Sequence, residues 1–124
     1  MLGLGIGLLV IATGCALFFF LASPFGRDLC GNDIVAENVS PNGQLKAITF
    51  RRDCGATTSY SIQVSILPTA RKLPNEGGNI LVLKDDPALV VHWVDDHHLR
   101  ISGGGASTSF LRLTDFHNIH IDYQ

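Results

Sequence analysis

Apolar and polar side chains alternate along much of the chain beyond its first 22 residues, and the alternation is clearest in residues 60–66. A period of two residues places successive side chains on opposite faces of a β-strand. We therefore expect residues 60–66 to form a strand that is buried on its apolar face only. Similar patterns rich in β-branched and aromatic residues predict further strands at residues 34–39, 45–52, 79–83, 89–94, 98–102, 109–113 and 118–123.

Turn-forming residues separate these predicted strands. Residues 40–43 combine a proline with an Asn-Gly pair, which suits a tight hairpin turn. Clusters of Gly, Asp and Pro follow at the spacing of roughly 8 to 12 residues that is typical of antiparallel all-β domains. The sequence therefore predicts a mainly β fold with a small antiparallel β-sheet domain, either sandwich-like or a single curled sheet.

A second hairpin is predicted around Asp95 and Asp96. Strand alternation gives its two arms one apolar face and one polar face. The apolar face would hold Val91, Trp93, Leu99 and Ile101, and the solvent-facing side would hold His92, His98 and Arg100.

The first 22 residues carry no charged side chain and are dominated by apolar residues. As a helix rising about 1.5 Å per residue, the part after Met1 would reach about 32 Å, enough to cross a hydrocarbon core of about 30 Å. Pro24 and the first charge, Arg27, follow where such a helix would meet the headgroups. We expect residues 1–22 to be a transmembrane helix or uncleaved signal anchor, residues 23–33 a linker, and residues 34–124 the β domain.

Two other interpretations of the N-terminal segment stay open. A cleaved signal peptide normally has a basic region before the apolar run and small residues before the cleavage site, and neither is present. Residues 12–15 resemble a lipobox that ends in an acylated cysteine, Cys15, although the basic region is missing and the residues after it are still apolar. Within a spanning helix, Cys15 would be an ordinary small apolar residue.

Three glycines of the N-terminal segment would share one face of its helix. Gly3, Gly7 and Gly14 fall within about 40° of one another at 3.6 residues per turn. Small residues let two membrane helices approach closely, so this face is a weak homodimerisation signal. Glycine is also common in membrane helices that do not associate.

Charges and cysteines indicate on which side of the membrane the domain lies. Arg27 and Lys46 follow the apolar run and slightly favour a cytoplasmic domain. Cys30 and Cys54 favour the outside, because an even pair in a small exported domain is most simply a disulfide. We expect that disulfide. We also expect a single-pass protein of the inner (plasma) membrane whose C-terminal domain is extracytoplasmic. Two unrelated buried thiols in a cytoplasmic domain are the alternative.

The charge balance argues against nucleic acid as a partner. The formal net charge is −2, from 9 Lys and Arg and 11 Asp and Glu residues scattered along the chain after residue 26. A chain without a basic field lacks the attraction to phosphate that supplies most non-specific nucleic-acid affinity.

The run Arg-Asp-Cys-Gly-Ala-Thr-Thr at residues 52–58 is followed by residues 63–66, Gly78-Asn79 and the hairpin from Trp93 to Leu99. Together these segments resemble a family of short bacterial membrane-anchored proteins of unknown function. Members of that family have one N-terminal hydrophobic segment and a Ser-Pro-Asp-Gly turn, in which this chain has Asn42. The likeness covers roughly residues 30–101. It implies an exported β architecture and names no ligand.

Two groups of residues are candidates for ligand chemistry. Arg51, Arg52, Thr57 and Thr58 surround Cys54 and could hold a small anion, because arginine and threonine donate hydrogen bonds to phosphate or carboxylate. The alternative is a loop that the disulfide merely anchors. The last third of the chain has histidines at residues 92, 97, 98, 117 and 120, which could ligate a metal. Their spacing matches no known zinc site. We therefore expect no metal and no other cofactor.

No catalytic residues can be assigned from the sequence, because no nucleophile is accompanied by a recognisable base. We therefore expect a non-enzymatic protein-interaction domain, anchored in the membrane through residues 1–22, whose partner is another envelope protein. A small-anion or metal-binding module is one alternative. An envelope immunity protein that protects against a toxin is another.

Overall fold

The structure is a computed structural model that describes residues 29–55 and 59–124. The predicted transmembrane helix, the acylation candidate Cys15 and the glycine face all lie outside the described residues. In the described part of the chain, no helix is long and apolar enough to span a membrane.

The described residues form β-strands joined by turns and loops, which confirms the mainly β fold. The first strand begins at Gly31, three residues before the start expected for the domain. Most predicted strands are found within two residues of their expected bounds. A short strand, Asp115–Phe116, has no counterpart among the predictions. The strands are β1 (Gly31–Val39), β2 (Leu45–Asp53), β3 (Ser61–Pro68), β4 (Leu81–Leu83), β5 (Leu89–Asp95), β6 (His98–Gly103), β7 (Ser109–Arg112), β8 (Asp115–Phe116) and β9 (Ile119–Tyr123).

These strands make two sheets, with the orders β1-β2-β3-β4-β7 and β5-β6-β9-β8. Adjacent strands are antiparallel except β6 and β9, which run parallel. A parallel pair needs a crossover between its two strands. Here the chain between β6 and β9 supplies it by adding β7 to the first sheet and β8 to the second. The predicted antiparallel architecture is confirmed, with the pair of β6 and β9 as its one exception among the described residues.

The two sheets enclose one hydrophobic core. Val64 of β3 and Leu99 of β6 are completely buried there, together with inward residues of β2, β4, β5 and β9. The predicted hairpin is confirmed, because Trp93 pairs with Leu99 across it. Trp93 also joins the sheets at one corner, where its Nε1 donates a hydrogen bond of 2.8 Å to the carbonyl oxygen of Asn38.

Strand β3 is buried on both faces, contrary to the expectation of one solvated face. Gln63 and Ser65 are 4% and 3% exposed. They accept hydrogen bonds from the backbone N–H groups of Gly78 and Asn79, at 2.7 and 3.0 Å. A buried polar side chain is tolerated when it is hydrogen-bonded. The polar face of β3 therefore serves to hold the segment before β4.

That segment also covers apolar residues on the outer face of the first sheet. Ile48, Phe50 and Leu67 form a second small core, against which Leu73 packs. Gly78 allows the close approach, since a Cβ at this position would lie 2.6 Å from the Leu81 carbonyl oxygen. Substitution of Gly78 by a larger residue would push the covering segment off the sheet.

The Cys30–Cys54 disulfide is present and defines one end of the domain. It links the start of β1 to the residue after β2, and Arg52 pairs with Ser61 at the start of β3. We call this the disulfide end. Nine-residue β1 then runs about 30 Å to the opposite end. We call that opposite end the turn end; it comprises the turns at residues 40–44, 96–97 and 117–118.

Candidate functional site

The turn between β1 and β2 is built as its sequence predicts. Gly43 N donates to Ser40 O at 2.8 Å, and Gly43 adopts a φ of 75°, which glycine reaches without steric cost. The Asn42 side-chain oxygen accepts hydrogen bonds from Ser40 Oγ at 2.8 Å and Gln44 N at 3.1 Å. The turn is therefore rigidly held and presents its exposed side chains in a fixed direction.

A second turn, between β5 and β6, is tied to the first. Asn42 N donates to Asp96 Oδ1 at 2.8 Å, across the gap between the two sheets. Asp95 Oδ1 accepts a hydrogen bond of 2.8 Å from His97 N, which fixes the turn internally. These bonds use the carboxylates of both aspartates that were predicted to form a turn.

The third turn, between β8 and β9, contains the one non-glycine residue with a positive φ in the described part of the chain. His117 has a φ of 53°, and its ring packs edge-on against Phe116 at a centroid distance of 4.5 Å. His120 N donates to His97 O at 2.8 Å, which links this turn to the second one. Left-handed backbone in a non-glycine residue is costly and recurs at binding sites.

Together these turns enclose a cleft of about 420 Å³, which we call the turn-end cleft. Its size lies within the range of roughly 300 to 1,000 Å³ that is usual for ligand pockets. The floor is the open end of the hydrophobic core, and the rim is polar. Apolar lining residues include Leu45, Ile66, Leu67, Phe116 and Ile119, and the rim includes Asn42, Gln44, Arg71, Asp96, His97, His117 and Asn118.

The rim carries more nitrogen-bearing side chains of Arg and His than carboxylates. Arg71 is exposed, and His97 and His117 provide two imidazoles. The single carboxylate among the lining residues, Asp96, already accepts the hydrogen bond from Asn42 N. The cleft can thus receive an apolar group and offer donors to polar atoms beside it.

The arginine candidates lie at the disulfide end, far from this cleft. Neighbouring residues in a strand point to opposite faces, so Arg51 and Arg52 do not converge. Arg51 Nε donates to Asp86 Oδ2 at 2.8 Å, and its guanidinium lies 5.5 Å from the Tyr60 ring centroid. Arg52 Nη1 donates to Asn32 Oδ1 at 2.7 Å and to the Asn75 side-chain oxygen at 3.0 Å. Thr57 and Thr58 lie outside the described residues.

Three of the histidines lie on the outer face of the second sheet. His98 and His120 are cross-strand neighbours with ring centroids 5.3 Å apart. Arg100 Nε donates to Asp122 Oδ2 at 2.9 Å on the same face, and this bond lowers the pKa of the Asp122 carboxyl although desolvation opposes it. His92 pairs with Arg100 on β5. Across residues 29–55 and 59–124, no group of three or more His, Cys, Asp or Glu residues is arranged to hold a metal ion.

Sequence reasoning identified two of the three turns of the cleft, at residues 40–43 and around Asp95 and Asp96, but neither the turn at residues 117–118 nor the cleft itself. The pattern predicts only that the apolar residues of the floor are buried. It does not indicate at which end of the domain the hydrophobic core is accessible to solvent. The grouping of Asn42, Asp96 and His117 depends on how two sheets stack, and a period of two residues carries no information about that.

No protein-family model, curated protein or solved structure matches this chain. The resemblance carried by residues 52–58 therefore stays a prediction.

Proposed function

We propose that this chain is a single-pass membrane-anchored protein whose β domain lies outside the cytoplasm and binds another envelope protein without catalysing a reaction. The observation that carries the binding role is the turn-end cleft. Its apolar floor and polar rim resemble the centre of a protein interface, where a buried apolar anchor is surrounded by polar contacts.

Two further features support the location. Residues 1–22 are long and apolar enough for a membrane anchor. The Cys30–Cys54 disulfide favours an oxidising compartment, because such bonds are rare in the cytosol. An anchored domain of this size has little surface to spare, and we assign the contact with the partner to the turn-end cleft.

The rigidity of the cleft favours recognition over induced closure. Its turns are held to one another by the Asn42–Asp96 bond and the His120–His97 bond. A preformed site loses little conformational entropy when it binds. A partner that inserts one or two apolar side chains would therefore bind without rearrangement of the domain.

The test places a photo-crosslinking amino acid at Gln44, an exposed rim residue, in the full-length chain in its own cells. We expect a discrete crosslinked protein in the membrane fraction. Asn118→Trp on the opposite rim fills the mouth of the cleft and should abolish that product. The same substitution at exposed His92, on the outer sheet face, should leave it unchanged.

Two results would contradict the proposal. A crosslinker at His92 that captures the same protein as one at Gln44 would show capture by proximity alone. A product that persists with Asn118→Trp would place the contact outside the cleft.

A further inference from the structure

Three of the eight large apolar side chains that are exposed in the described residues lie at the disulfide end of the domain. Leu29, just before Cys30, is 67% exposed, and Phe110 on β7 is 71% exposed. Tyr60, just before β3, is half exposed. Singly exposed apolar residues are common, but three large ones at one end of a small domain point to a surface that is covered in the cell.

Phe110 lines a groove of about 490 Å³ beside the disulfide. Cys54, Ser59 and Ser61 border the groove, and Val82 contributes an apolar side chain. The groove lies on the outer face of the first sheet, where the segment before β4 does not reach. Phe110 thus shares this groove with Cys54 and Ser59.

Cations accompany these apolar groups. The Arg51 guanidinium, which is paired with the Asp86 carboxylate, lies 5.5 Å from the Tyr60 ring centroid, and exposed Lys84 lines the same groove as Phe110. Tyrosine and tryptophan are enriched at membrane–water interfaces, where their rings sit among the headgroups, and Lys and Arg there extend their charged ends to the lipid phosphates. This mixture therefore suits a lipid headgroup surface.

Chain length brings this end close to the apolar N-terminal run. The run ends at Ala22, and Leu29 is seven residues further on, so the link reaches at most about 25 Å. The turn end is a further length of β1 away, about 30 Å. If residues 1–22 are in the bilayer, the end that the tether holds near it is the one that carries Leu29, Tyr60 and Phe110.

We infer that the disulfide end of the domain lies against the lipid headgroups, with Phe110 and Tyr60 in the interface, and that the turn-end cleft faces away from the membrane. This inference rests on the proposed membrane anchor. It adds an orientation: the cleft meets partners at the far side of the domain, and the lipid surface covers the exposed apolar groups.

The test uses the full-length chain in phosphatidylcholine–phosphatidylglycerol vesicles with and without brominated lipids, which quench tryptophan only at short range. Trp93 is the single tryptophan and is buried, so wild-type emission is the baseline. Phe110→Trp adds a reporter at the disulfide end. Val39→Trp is the matched control, because Val39 is 52% exposed on β1 near the turn end.

We expect brominated lipids to remove the emission that Phe110→Trp adds and to leave that of Val39→Trp unchanged. Equal quenching of the two variants, or no quenching of Phe110→Trp, would overturn the orientation. Unquenched but blue-shifted Phe110→Trp emission would place a second copy of the chain on this surface and would also overturn it.

Vesicle flotation separates this inference from the anchor on which it rests. A wild-type chain that does not float with the vesicles contradicts the proposed anchor, and the inference falls with it. A chain that floats while Phe110→Trp stays unquenched contradicts the orientation alone.

Discussion

Asn79 should be among the most sensitive polar residues of the domain, although it lies in a loop. Its side-chain oxygen accepts from Ile66 N and its amide nitrogen donates to Ile66 O, both at 2.8 Å. The side chain thus replaces a neighbouring strand, because the β3–β4 ladder pairs only Gln63 with Val82 and Val64 with Leu81.

Asn79→Ala would leave both backbone groups of buried Ile66 without their partner. A net hydrogen bond is worth about 1 kcal/mol, and an unpaired buried group costs about 1 to 3 kcal/mol. If water reaches one of the two groups after truncation, the loss is about 2 to 4 kcal/mol. That is a large part of the roughly 5 to 15 kcal/mol that stabilises a typical domain.

The assay is urea unfolding of the full-length chain in detergent, followed by the fluorescence of Trp93, which reports on the β domain alone because the chain has no other tryptophan. Asn75→Ala is the matched control, since the Asn75 amide also makes two hydrogen bonds, donating to Cys30 O and accepting from Arg52 Nη1, but both are exposed to solvent. We expect it to cost below about 1 kcal/mol. A loss for Asn79→Ala no greater than that of Asn75→Ala would refute the view that this side chain completes the sheet.

Three further predictions concern other contacts. Replacing Cys30 and Cys54 together by Ser should lower the free energy of unfolding by about 3.5 kcal/mol on the chain-entropy model, and an unchanged urea midpoint would argue against that contribution. Trp93→Phe should cost about 1 kcal/mol or more, because it leaves Asn38 O without its donor and shortens a core side chain; thermal unfolding would show this as a lower Tm. Asp122 has a lowered pKa in the folded state, so its contribution is present above the ordinary value of 3.8 and is lost as pH falls through the folded-state pKa. The stability difference between the wild type and Asp122→Asn should therefore vanish on acidification, and a difference that persists at the lowest pH would contradict this assignment.

Local patterns predicted most strands because burial of one face imposes a period of two residues. In the hairpin of β5 and β6, Trp93 and Leu99 face the core while His92 and Arg100 face outward, as the alternation requires. The turn at residues 40–43 was equally predictable, because an Asn-Gly pair between two strands typically forms a tight hairpin turn.

The features that escaped prediction depend on partners distant in sequence. Gln63 and Ser65 read as solvent-facing, yet each accepts a hydrogen bond from the segment before β4. The parallel pairing of β6 with β9 leaves no mark on either strand, because a strand's alternation is the same whichever way its neighbour runs. The cleft was not predicted either, because it also depends on residues that are distant in sequence. The pattern around floor residues such as Ile66 indicates burial alone.

The accessibility of Cys30 and Cys54 in living cells tests the central proposal most directly. The proposed account predicts that a membrane-impermeant maleimide labels neither cysteine in untreated cells, and labels both after an impermeant reductant is added, with the protein recovered in the membrane fraction. Labelling that occurs only after the cells are lysed, with both thiols already reduced, would place the domain in the cytoplasm and contradict the account.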